Sequence, residues 1–160
     1  MERRSAFWLV FGFAMLAAAS DAGIACAEDK PAEAYVPGLG DFMTAYVQPH
    51  HIKLFLAGSA RNWKLAAYEA SEIGETFEDV VSYQGKWHDL PVGDLVKTNI
   101  DPALAAVTKA IEAKDENGFK TAYGKLTAAC NSCHAAAAHE FVVIKTPAAS
   151  AFPDQEFGRK

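Results

Sequence analysis

Cysteine is scarce in this chain of 160 residues: there are three, Cys26, Cys130 and Cys133. A framework of several disulfides is therefore excluded, and so is a zinc site built from two cysteine pairs. Basic residues are also short. Fifteen Lys and Arg stand against twenty Asp and Glu, for a formal charge of −5. A surface with that balance does not suit the phosphates of nucleic acid, so no nucleic-acid partner is expected. Nor does any stretch alternate apolar and polar residues as a half-buried strand would; Val142-Val143-Ile144 is the one short β-prone run.

Long apolar runs are missing as well. The longest, Phe7 to Ala19, falls short of the ~18 residues that a membrane-spanning helix needs. It follows the basic start Met1-Glu2-Arg3-Arg4 and precedes Ala25-Cys26-Ala27, which has the A-x-A form of a signal-peptidase site. Residues 1–27 are expected to be a cleaved signal peptide, leaving no stable membrane span and placing the protein in the periplasm. Arg3, Arg4, Glu2 and Asp21 leave together, so the net charge stays the same. Cys26 leaves too, and the two remaining cysteines stand two residues apart.

The remainder is long enough for one core and too short for two. Residues 28–40, rich in Ala, Pro and Gly, are expected to be a linker. Four helices should follow. The first spans about 41 to 57, with Pro49 kinking it or marking a short initial segment. The second, about 62 to 83, carries Trp63, Ala66, Ala70, Ile73, Phe77 and Val81 on one face. Its acidic residues, Glu69 among them, are expected to face solvent. Residues 84–99 show no period and are expected to be a crossover loop. Asp101, followed by Pro102, gives the start of the third helix. The fourth, about 119 to 141, buries Phe119, Tyr123, Leu126, Cys130 and Cys133 at spacings of four and three. Short connections within each pair and a long one between them predict an all-α antiparallel four-helix bundle over 41–145, with an extended tail over 146–160.

Chemistry concentrates in Cys130-Asn131-Ser132-Cys133-His134, the Cys-x-x-Cys-His form of a c-type haem attachment site. Two thiols one helical turn apart can each form a thioether with one vinyl group of a single covalent haem c, and the adjacent imidazole can bind iron from below. A thioredoxin-type redox pair would want a βαβ setting, a zinc site would want four ligands, and a disulfide would leave His134 unexplained. For the other face of the iron the sequence offers Met43, His50, His51, His88 and His139. His139 lies five residues beyond His134, about 140° round the expected helix, so it is read as a surface or cap-region residue. His51, sharing a face with Val47, Leu54, Phe55 and Gly58, is the best-placed sixth ligand; Met43, His50 and an open position stay as alternatives. Trp63, Tyr68, Tyr123 and Phe55 are candidate pocket aromatics, and Arg61 a candidate partner for a haem propionate.

A helical chain with one such motif near its C-terminus resembles the cytochrome c′/c-556 superfamily of periplasmic four-helix-bundle cytochromes. In that family the first helix often carries an Arg-Gln-x-x-Met-like segment. Gln48-Pro49-His50-His51 looks like its counterpart, with His51 where methionine would stand. The run His51 to Gly58, Arg61 to Glu69 and the tail element Pro153-Asp154-Gln155-Glu156-Phe157 also resemble an uncharacterised bacterial branch of small c-type cytochromes. The resemblance implies one-electron transfer with a periplasmic redox partner protein, binding of nitric oxide or carbon monoxide at an open iron as the alternative, and a possible homodimer. A haem-free module binding copper through Met43, His50 and His51 is a third reading. No acid–base pair flanks the motif, so an enzyme is not expected.

Overall fold

The computed structural model describes residues 34–158, and those from Tyr35 onward form one unit. The expected signal peptide lies outside the described residues. Within them the chain is mainly helical, and its one β feature is an isolated bridge between Trp87 and Leu90. None of these helices is long and apolar enough to cross a membrane.

Helix α1 runs without a break over 39–59, α2 over Trp63–Gln84, α3 over 92–112 and α4 over Glu116–Ala136. Each packs on two neighbours, α1 on α2 and α4, and α3 on α2 and α4. Residue pairing sets the directions. His51 meets Thr127 while Arg61 meets Glu116, so α1 and α4 run opposite ways. The α1–α2 and α3–α4 turns are tight. One core lies between the helices, and its fully enclosed side chains include Leu54, Ile73, Val80, Ile100, Val107, Phe119, Tyr123 and Leu126.

The turns are built without the glycine that usually supplies a left-handed residue. Arg61, Lys114 and Ala138 take φ of 58°, 53° and 55° just past the ends of α1, α3 and α4. At each the chain folds back in a Schellman geometry. Asn62 N–H reaches the Ala57 carbonyl, Asp115 N–H that of Ala110, and His139 N–H that of His134 at 2.7 Å. The next helices are capped at once, α2 by the Asn62 side chain and α4 by Asp115, which accepts from Asn117 and Gly118. Helix α4 therefore ends at Ala136 and not near Phe141, because Ala138 reverses the chain.

The expected helix start at Asp101-Pro102 is corrected, and Pro49, inside the first helix as expected, does not set off a separate initial segment. Pro49 and Pro102 each sit within a continuous helix, and each is preceded by a π-helical stretch, Phe42–Val47 and Val96–Ile100. A proline inside a helix lacks an N–H and presses on the carbonyl four residues back. Widening the preceding turn relieves that pressure: Gln48 N–H reaches the Met43 carbonyl and Asp101 N–H reaches that of Val96, five residues back in both cases. So Asp101-Pro102 lies inside α3, and half of the expected crossover loop is helix. Glu69 is corrected too. It is 1% exposed and takes a 2.7 Å hydrogen bond from His50 Nδ1 instead of facing solvent.

Candidate haem site

Helices α1 and α3 begin, and α2 and α4 end, at the same end of the molecule, around an apolar cavity of about 330 Å³. That volume falls among ordinary ligand pockets, which run from ~300 to 1,000 Å³. Cys130, Cys133 and His134 line one side, from the last turns of α4. Met43, Val47 and His51 line the side formed by α1, and Val96 and Ile100 come from α3. In an unbroken α-helix, residues eight apart drift by about 80°. The wider π turn takes back part of that drift, which keeps Met43, Val47 and His51 on one wall. Both π-helical stretches contribute to the cavity, one from α1 and one from α3.

His134 has a settled tautomer. Its Nδ1 lies 2.7 Å from the Val142 carbonyl, which can only accept, so Nδ1 carries a proton and, in the neutral imidazole, Nε2 keeps its lone pair. A metal-binding imidazole wants that arrangement. Val142 reaches His134 because the turn at Ala138 sends the chain back along the end of α4. The reversal also brings His139 to the cavity, where it packs edge-on against Trp87 at 5.4 Å, with Nδ1 held by the Ala137 carbonyl at 2.7 Å. The reading of His139 as a surface or cap-region residue assumed a helix continuing past Ala136; the residue is in the cap region, where its N–H closes the end of α4 on the His134 carbonyl, but it faces the cavity.

The two thiols are free and unbridged. Burial pushes the Cys130 thiol up to about 12, with the neighbouring Cys133 adding to the shift, and burial raises Cys133 as well. Protonated thiols in an apolar wall are poor nucleophiles, which weighs against a thioredoxin-like pair. Nor, among the described residues, do three or more His, Cys, Asp or Glu side chains gather as a metal cage. A haem makes no such demand, since its macrocycle supplies four iron ligands and the protein needs to add one or two.

His51 is placed in the cavity wall, but its nitrogens are occupied. Nδ1 lies 2.9 Å from the Tyr123 hydroxyl and Nε2 lies 3.0 Å from the Thr127 hydroxyl. The same hydroxyls contact the backbone carbonyls of His51 and Tyr123, each at 3.0 Å. Binding iron would require His51 to leave this buried network. His50 turns away from the cavity to Glu69, and its Nε2 faces Glu72 at 3.9 Å, so a copper site shared by Met43, His50 and His51 loses its ligands.

Other candidates fall elsewhere. His88 is exposed and packs edge-on against Trp87. Arg61 pairs with Glu116 at the far end of α1. Phe55, Tyr123, Phe119 and Trp63 form an aromatic chain in the core, and Tyr68 is exposed. Gly58, on the face that His51 shares, is packed directly against the Phe119 ring. Sequence reasoning placed Phe77 on the core face of the second helix without linking it to the site, and missed Trp87, Leu90 and the α3 wall because residues 84–99 read as a loop; the apolar spacing of Val92, Val96 and Ile100 was the available signal. Compared with family models, curated proteins and solved structures, the chain matches none.

Proposed function

We propose that this protein is an exported, periplasmic mono-haem c-type cytochrome that passes single electrons to and from a redox partner protein. Haem c would be attached through Cys130 and Cys133, with His134 as proximal ligand, in an antiparallel four-helix bundle like that of the cytochrome c′/c-556 superfamily. One observation carries the reading: Cys130, Cys133 and His134 line a single apolar cavity, and the Val142 carbonyl holds the His134 Nδ1 proton, leaving Nε2 of the neutral imidazole as the free nitrogen. Bound there, the haem supplies one-electron exchange between ferric and ferrous iron.

The chain's residues do the rest. Apolar walls from α1, α2 and α3 exclude water, which limits solvent reorganisation when charge changes. Met43, on the α1 wall with His51, is the preferred sixth ligand, because its thioether can be offered without breaking the Tyr123–His51–Thr127 network. His51 stays as the second choice. Gas binding at an open distal site is the other reading, supported by the apolar character of Val47, Phe77, Val96 and Ile100 around the cavity.

The test is the absorption spectrum of protein exported from a host with c-haem maturation machinery, taken ferric, ferrous and with carbon monoxide, beside a denatured mass. A mass increase of one haem with sharp ferrous bands that ignore carbon monoxide supports electron transfer. Loss of those bands in Met43→Ala, and their retention in His51→Gln, assigns the ligand to Met43; the reverse assigns it to His51. A wild-type protein that binds carbon monoxide readily is a gas binder, and one that carries no covalent haem refutes both readings.

A further inference from the structure

Beyond Ala138 the chain does not wander off. Asn131, the first residue between the two cysteines, holds the returning segment with both ends of its amide. Its Nδ2 donates to the Ile144 carbonyl at 2.9 Å, and its Oδ1 accepts from the Ile144 N–H at 2.8 Å. Both groups are partly buried, and the pair closes a ring as two strands would, with a side chain in place of one backbone. Two residues earlier on the same segment, the Val142 carbonyl takes the Nδ1 proton of His134. Further on, Phe152 lies under the Lys53 ammonium at 4.8 Å, and Phe157 packs against the core. The segment is therefore a strap anchored on the attachment motif itself.

We infer that Asn131 is a positioning residue for His134. Pinning Ile144 fixes the strap, the strap fixes the Val142 carbonyl, and the carbonyl holds the imidazole by its Nδ1 proton, leaving Nε2 as the nitrogen for iron. The inference rests on the proposed haem attachment and deepens it by assigning a role to a residue the attachment chemistry leaves free. A hydrogen bond from Nδ1–H makes an imidazole a stronger donor to a metal, and loss of such an outer partner weakens the ligand. A stronger donor favours ferric iron. Loosening the strap therefore raises the reduction potential, although residue 131 itself need not touch iron.

The experiment compares wild-type holoprotein with Asn131→Ala by three readouts: amide exchange at Ile144, the NMR signal of the His134 Nδ1 proton, and the reduction potential. The expected result is faster exchange at Ile144, a lost or exchange-broadened Nδ1 proton, and a higher potential. Faster exchange at Ile144 with the Nδ1 proton and the potential unchanged would overturn the inference, as would unchanged protection of Ile144. If Asn131→Ala does not accumulate, Asn131→Asp keeps the acceptor and loses the donor, and the two NMR readouts decide alone. Failure of the parent reading looks different: the purified wild type then shows neither the haem mass nor a haem spectrum, and the inference falls with it.

Discussion

His51 is 4% exposed, and burial lowers its pKa from 6.5 to about 4. The folded imidazole is therefore neutral at pH 7. Its network has room for either tautomer. With Nδ1 protonated, the imidazole donates to Tyr123, Tyr123 donates to the His51 carbonyl and Thr127 donates to Nε2. With Nε2 protonated, the imidazole donates to Thr127, Thr127 donates to the Tyr123 carbonyl and Tyr123 donates to Nδ1. What the network resists is a second proton in an apolar surrounding. Because the folded pKa is depressed, below pH 6.5 the unfolded chain takes up a proton that the folded chain refuses. This contribution is constant above about pH 7, is lost as pH falls from 6.5 towards 4, and amounts to roughly 3 kcal/mol at most. Urea unfolding at pH 7 and pH 4.5 checks it. The wild type should lose more stability across that interval than His51→Gln; equal losses would mean that His51 is protonated in the fold.

At the scale of the element, the ends of the helices matter more than their middles. Ala138 adopts left-handed backbone, which costs a residue with a Cβ roughly 1–2 kcal/mol relative to glycine. Replacing Ala138 by Gly should raise stability by about 1 kcal/mol, since glycine's greater unfolded freedom takes back part of the gain. Thermal unfolding measures this, and a lower Tm would show that the turn at Ala138 is not left-handed. The cost is tolerated because the reversal delivers the Val142 carbonyl to His134 and Ile144 to Asn131. Pro49 and Pro102 act at the same scale. Each forces a π turn, and the two widened turns shape opposite contributions to one cavity. A π turn at a functional site is a recurring pattern, because it re-aims side chains without ending the helix.

For the molecule as a whole, the spacing between α1 and α4 depends on one missing side chain. A Cβ added at Gly58 would lie 2.1 Å from Phe119 Cζ, and Phe119 is fully buried. Gly58→Ala gains up to ~1 kcal/mol of helix propensity, but overpacking costs about 1–3 kcal/mol, so the net effect is destabilising. Chemical denaturation should show the loss, and Gly58→Ala combined with Phe119→Leu should recover part of it. If Gly58→Ala were stabilising, the two helices could not be in the contact described.

The sequence by itself determined the all-α class, four helical segments and the Cys130-x-x-Cys133-His134 motif, because apolar spacing and fixed-order motifs are local properties. Helix ends were less legible. Where glycine would have marked a stop, Arg61, Lys114 and Ala138 take its place, and their left-handed backbone is stabilised by hydrogen bonds to carbonyls up to five residues back and by packing of the next segment of chain. Only the tertiary structure decided which histidine faces what. His50 and His51 are neighbours in sequence, yet one is held by Glu69 on α2 and the other by Tyr123 and Thr127 on α4. His139, which sequence periodicity gave only as a surface or cap-region residue, lines the cavity once the chain reverses. A side chain's partners come from the elements packed around it, and a helical period read along one segment says which residues share a face but not what that face meets.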